Sequence, residues 1–129
     1  MKQEYYIVLE LVNSGHSPEE IAEIMGLAPH DIKAVLEALR EKGLVEVRRG
    51  FFGERYVLTE RGRAQLEQWR GEVRGQLELA AEMRRSGRET EAIEIVERWL
   101  PILPILVGLG VVSLALWKLL TGYLASADD

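Results

Sequence analysis

The chain has 129 residues, no cysteine and a formal net charge of −5. That length suits one small domain plus an added element, and the lack of cysteine excludes a disulfide, a thiol nucleophile and a cysteine-based zinc site. The acidic total argues against tight, sequence-independent binding of nucleic acid by a single chain, but a local basic patch can still meet phosphates. No basic stretch followed by an apolar run opens the sequence, so a cleaved signal peptide is not expected.

Residues Gln3 to Asn13 read as a helix, with Tyr5, Val8 and Val12 at helical spacing and Ile7 and Leu11 widening the same face. Ser14-Gly15-His16 closes it. Ser17-Pro18-Glu19-Glu20 is a helix start: Ser17 caps, Pro18 suits the first helical position and Glu20 completes a capping box. The short helix that follows is expected to bury Ile21, Ile24 and Met25 and to end at Gly26. Pro29 opens a third helix whose core stripe is Ile32, Val35, Leu36 and Leu39.

After Gly43, residues 44–48 alternate as a short strand, and Arg55 to Leu58 read as its return across a loop from Arg49 to Glu54. Thr59 caps a fourth helix that runs from Glu60 towards Arg85, with Gly71 and Gly75 inside it. Ser86 to Glu89 break it, and Thr90 is expected to cap a fifth helix carrying Ile93, Val96 and Leu100 on one side.

Two strings within this order are specific. Leu36-Glu37-Ala38-Leu39-Arg40-Glu41-Lys42-Gly43-Leu44-Val45 resembles the end of the recognition helix in winged helix-turn-helix transcription regulators. Tyr56-Val57-Leu58-Thr59-Glu60-Arg61-Gly62 resembles the exit from the wing in the same superfamily, in its MarR-like and PadR-like branches. The resemblance covers residues 1–66 and implies DNA binding, with the helix from Pro29 lying in the major groove. The outward positions of that helix, His30, Asp31, Lys33, Ala34, Glu37 and Ala38, hold no Arg, Asn or Gln for bidentate base contacts. Lys33 is its one clear donor, and His30 stands at its start. The wing is better supplied, since Arg48, Arg49 and Arg55 flank its tip, and such wings track the backbone or enter the minor groove. Phe51 and Phe52 at the tip either meet a partner or fold back under the fourth helix; packing is expected for at least one.

From Trp99 to Trp117 no charged residue occurs. As one helix this run would rise about 27 Å at ~1.5 Å per residue, close to the ~30 Å hydrocarbon thickness of a bilayer. Trp99 and Trp117 sit like interface aromatics, with Tyr123 further on, and Lys118 is placed to snorkel. Gly108, Ala115 and Gly122 recur at seven-residue intervals, as on a close-packing face. The competing expectation is a helix buried in a soluble dimer.

The fold class expected is therefore mainly α with a small β-hairpin. It comprises a winged helix-turn-helix (1–66), a helical connector that also serves as a dimerisation candidate (67–98), a hydrophobic helix expected to be transmembrane (99–125) and an acidic tail (126–129). No catalytic constellation, metal-ligand spacing or cofactor motif stands out. His16 and His30 lie in a turn and a helix start, and Gly108-Leu109-Gly110 sits in the apolar run. The function expected is a membrane-tethered, DNA-binding transcription regulator, not an enzyme, with double-stranded DNA, a membrane and a second copy in a homodimer as partners. It would sit single-pass in the cell membrane with its N-terminal domain cytoplasmic. Two alternatives are a cytoplasmic dimeric regulator and a membrane-anchored adaptor that contacts protein instead of DNA.

Overall fold

The computed structural model describes the backbone of residues 1–127 and the side chains of residues 1–122. Among the described residues there are seven helices and one two-stranded antiparallel hairpin, in the order α1 (Gln3–Asn13), α2 (Pro18–Met25), α3 (Pro29–Glu41), β1 (Val45–Gly50), β2 (Gly53–Leu58), α4 (Glu60–Arg85), α5 (Glu89–Trp99), α6 (Leu103–Gly108) and α7 (Leu114–Ala127). The chain divides into two compact units, Met1–Trp69 and Arg70–Asp129, with the boundary inside α4. The tail residues Asp128 and Asp129 and the side chain of Tyr123 lie outside the description.

In the first unit α1 is the core. Every residue from Tyr6 to Val12 is buried, while Tyr5, expected on the inner face, is only half-buried. A helix buried on all sides must also satisfy its polar member, and the Tyr6 hydroxyl donates to Glu10 Oε2 at 2.6 Å one turn away. α2 begins with the expected capping box: the Glu20 amide donates to Ser17 Oγ at 3.2 Å and the Ser17 amide to Glu20 Oε1 at 2.9 Å. It buries Ile21 and Ala22, but Ile24, expected inside, is exposed, because a two-turn helix covers only a narrow stripe.

α3 starts from Ala28, which makes no side-chain cap. That forgoes about 1 kcal/mol. Burial of Ile32, Val35, Leu36 and Leu39 outweighs it, at roughly 1.5–3 kcal/mol for each aliphatic side chain.

Thr59 ties the hairpin to the helices around it. Its hydroxyl donates to the Gly43 carbonyl at 2.6 Å and accepts the Gly62 amide at 2.9 Å, so it caps α4 and holds the end of α3 in one step. Its amide donates to the Leu44 carbonyl at 3.1 Å. Gly62 completes the join: a Cβ there would stand 1.9 Å from the Leu44 oxygen.

The second unit corrects the expectation of a transmembrane helix. Among the described residues no helix is long and apolar enough to cross a membrane. The uncharged run is cut into pieces. α5 ends at Trp99, Pro101 lies in the turn that follows, and Pro104 stands in the first turn of the six-residue α6. Gly110 takes φ +77° and turns the chain out of α6, as the amides of Gly110 and Val111 bond back to the carbonyls of Val107 and Leu106. Ser113 Oγ then accepts the Leu116 amide at 3.1 Å and opens α7 afresh. α7 spans 14 residues, about 21 Å at ~1.5 Å per residue, against ~30 Å of hydrocarbon.

The residues assigned to a membrane span take other places. Trp99 is buried and donates its indole N–H to Gln76 Oε1 at 3.2 Å. Gly108 ends α6, whereas Ala115, Trp117, Lys118 and Gly122 lie on α7, so the small residues share no single helical face. A Cβ on Gly122 would stand 3.1 Å from the Arg84 guanidinium of α4. Ile102, Leu103, Leu106, Val111, Val112 and Leu120 are all buried, and Arg74 Nε pins the inter-helix turn by donating to the Val111 carbonyl at 3.1 Å. α5 begins at Glu89 with Arg88 before it, so Thr90 lies inside the first turn and does not cap.

Gly62→Ala forces backbone apart at the Thr59 junction. The expected loss is about 3 kcal/mol, at the upper end of the usual cost of overpacking, read as a lower midpoint in urea or thermal unfolding. Gln76→Leu leaves the buried Trp99 indole N–H without its acceptor and should cost about 1–3 kcal/mol. An unchanged midpoint would show that this bond contributes nothing.

Candidate nucleic-acid interface

α3 buries one stripe and turns His30, Asp31, Lys33, Ala34 and Glu37 outward; Ala38 is half-buried. His30 Nε2 lies 3.3 Å from Asp31 Oδ1, which places a carboxylate next to the one imidazole at the helix start. Glu37 is engaged with Arg40 at 3.9 Å. Lys33 is exposed and makes no ion pair among the described residues.

The hairpin is longer at its tip than the sequence suggests. Its strands pair Val45 with Leu58, Val47 with Tyr56, Arg48 with Arg55, Arg49 with Glu54 and Gly50 with Gly53, leaving only Phe51 and Phe52 to make the turn. Since side chains alternate across a strand, this register decides which arginines meet. Val45, Val47 and Arg49 share one face with Leu58, Tyr56 and Glu54; Arg48 and Arg55 share the other with Glu46 and Val57. The expected trio is thus divided. Arg48 and Arg55 stand opposite each other, and Arg49 lies on the reverse face.

Like charges placed directly opposite across a ladder destabilise it. Glu46 offsets part of this, accepting from Arg48 Nε at 3.2 Å, and Arg49 Nε donates to Glu54 Oε1 at 2.9 Å. Arg55 makes no ion pair among the described residues. Both ion pairs are exposed, where such pairs contribute roughly 0–1 kcal/mol, so the carboxylates hold the two arginines only weakly against a competing anion.

A cavity of about 400 Å³ adjoins the Arg48–Arg55 pair and brings in residues that the sequence did not single out for this role. Its walls include His16, Glu20 and Tyr56 with Arg48, Arg55 and Arg63. Arg63 reaches it from the first turns of α4 and donates to the Leu58 carbonyl at 3.4 Å. Its signal in the sequence is its place four residues after the Thr59 cap. His16 Nδ1 lies 3.6 Å from Glu20 Oε2. Hydrogen bonds from the Ser17 backbone and hydroxyl hold the Glu20 carboxyl below the ordinary glutamate value, and His16 adds to the effect.

Phe51 and Phe52 depart most from expectation. They are 96% and 99% exposed, so neither folds back under α4. Their rings meet edge to face with centroids 5.2 Å apart. Leaving them in water forgoes roughly 1.5–3 kcal/mol of burial apiece. Among the described residues no group of acidic or histidine side chains is arranged to hold a metal ion. Comparison of the chain with protein-family models, with curated proteins and with solved structures gives no match in any of the three.

Ser17→Ala removes the cap of α2 and should cost about 1 kcal/mol. The Glu20 carboxyl is depressed in the folded chain, so its contribution is full above the ordinary glutamate value. It is lost as pH falls through the lower folded value. Glu20→Gln should therefore flatten the acid limb of a stability-against-pH curve; an acid limb identical in both proteins would refute the assignment.

Proposed function

We propose that the Met1–Trp69 unit is a winged helix-turn-helix domain that holds double-stranded DNA, with α3 as recognition helix and the β1–β2 hairpin as wing, and that the protein is a transcription regulator. The observation that carries this is the cross-strand pair Arg48 and Arg55 on the outward face of the hairpin, with Arg55 free of any ion pair among the described residues. A repulsive pair at an exposed site weakens the hairpin and gains a purpose when a phosphate sits between the two guanidinium groups. The order of helices and hairpin supports the same assignment.

α3 is thinly armed, and Lys33 is the donor on which its contact depends. Phosphate contacts from the wing supply most of the affinity, and base reading is weak. A homodimer belongs to the proposal for that reason: two α3 helices set about 34 Å apart, one turn of the duplex, double a small set of contacts. The exposed Phe51–Phe52 pair favours a second assignment, a module that contacts protein, which requires no duplex binding at all.

Fluorescence anisotropy of the full chain on a labelled random-sequence duplex tests the proposal. Binding should fall steeply between about 50 and 200 mM salt. The double variant Arg48→Ala, Arg55→Ala should lower the slope of log affinity against log salt by about 2, since each lost phosphate contact removes ~0.9. No binding at the lowest salt would end the DNA assignment in favour of protein contact. Binding with an unchanged slope in the double variant would remove the wing from it.

A further inference from the structure

We propose that the wing tip is a wedge: the Phe51–Phe52 pair enters the minor groove and separates two stacked base pairs, bending the duplex. This rests on the DNA assignment above and adds a deformation step to it.

The turn itself does not call for phenylalanine. Two-residue hairpin loops favour Asn, Asp and Gly, whose backbones adopt the positive φ that matches strand twist. Here both loop positions are phenylalanine, and Gly53 just after them supplies the positive φ at +109°, so the turn places no demand on what the two loop side chains are. The hairpin tip thus carries the two most exposed large apolar side chains of the unit. The rings meet edge to face at 5.2 Å, so they present one continuous apolar surface.

What surrounds the tip identifies the occupant. Arg49 lies on one face of the hairpin and Arg48 with Arg55 on the other, so cations bracket the aromatic pair on both sides. A minor groove has this form: apolar base faces at its floor once unstacked, and phosphates along both walls. A lipid surface fits less well. Polybasic segments that hold anionic membranes carry roughly four to eight cations. The tip has three arginines, fewer than such segments carry. Apolar wedges between base steps are a recurrent means of kinking DNA, and flexible pyrimidine–purine steps yield to them most easily.

The test uses the full chain and a short duplex carrying 2-aminopurine at a TA step, with donor and acceptor dyes at the two ends. Binding of the wild-type protein should raise 2-aminopurine emission and bring the dyes together. In the variant Phe51→Ala, Phe52→Ala the emission rise and the bend should vanish, while the salt slope of binding stays as in the wild type because the arginines remain. Both rings are exposed, so the variant keeps the fold, which its circular dichroism confirms. Duplex binding with the expected salt slope but no emission change overturns the wedge and leaves the DNA assignment standing. A lack of duplex binding overturns both. Binding to phosphatidylcholine–phosphatidylserine vesicles that needs the two rings, without any unstacking of the duplex, overturns the wedge in favour of a membrane contact.

Discussion

The Thr59 junction governs the geometry of the first unit. One hydroxyl both donates to Gly43 and accepts from Gly62, and the neighbouring amide reaches Leu44. Three chain segments meet there: the end of α3, the start of β1 and the start of α4. The hairpin has only two strands and would be marginal by itself. Its base is held by this junction and by burial of Val45 and Leu58, and from there the tip is carried outward on a ladder of fixed register. Where Arg48 and Arg55 stand is therefore settled at Thr59, some distance along the strands.

Much of the first unit was legible because its signals are local and redundant. Ser17, Pro18 and Glu20 mark one helix start, Pro29 another and Thr59 a third, and the stripe Ile32, Val35, Leu36 and Leu39 orients α3. The ends of α1 and α4 are marked by Ser14-Gly15 and Ser86-Gly87, whereas α1 begins after Lys2 without a side-chain cap. The C-terminal run was misread because hydropathy counts side chains and ignores the backbone. Absence of charge from Trp99 to Trp117 is equally true of one long helix and of two short ones with a turn between them. Pro101, Pro104, Gly110 and Ser113 decide between these, and only Gly110 in its left-handed conformation and Ser113 in its capping bond show the turn. Once that turn exists, residues of the run find partners in their own unit: the Trp99 indole N–H donates to Gln76, and the Val111 carbonyl accepts from Arg74.

The candidate site was half legible. Residue type alone marks Arg48, Arg49 and Arg55 as a basic group, but the face each occupies depends on register, and a shift of one residue exchanges the faces. Only the pairing of Arg48 with Arg55 shows which two stand opposite each other. Arg63 and His16 come to the same cavity from separate elements, so apart from the place of Arg63 after the Thr59 cap no spacing in the sequence announces them. The exposure of Phe51 and Phe52 ran against a sound general expectation that aromatics pack. It was overturned because a two-residue turn leaves its side chains no surface to fold against.

That exposure has a consequence for how the molecule can change over time. A buried residue is held by its neighbours, and any replacement must first satisfy the core. Phe51 and Phe52 touch little beyond each other, so folding places almost no veto on what stands there. Variation at those two positions can redirect what the protein meets while the scaffold beneath keeps its shape, which leaves the loop open to new specificity.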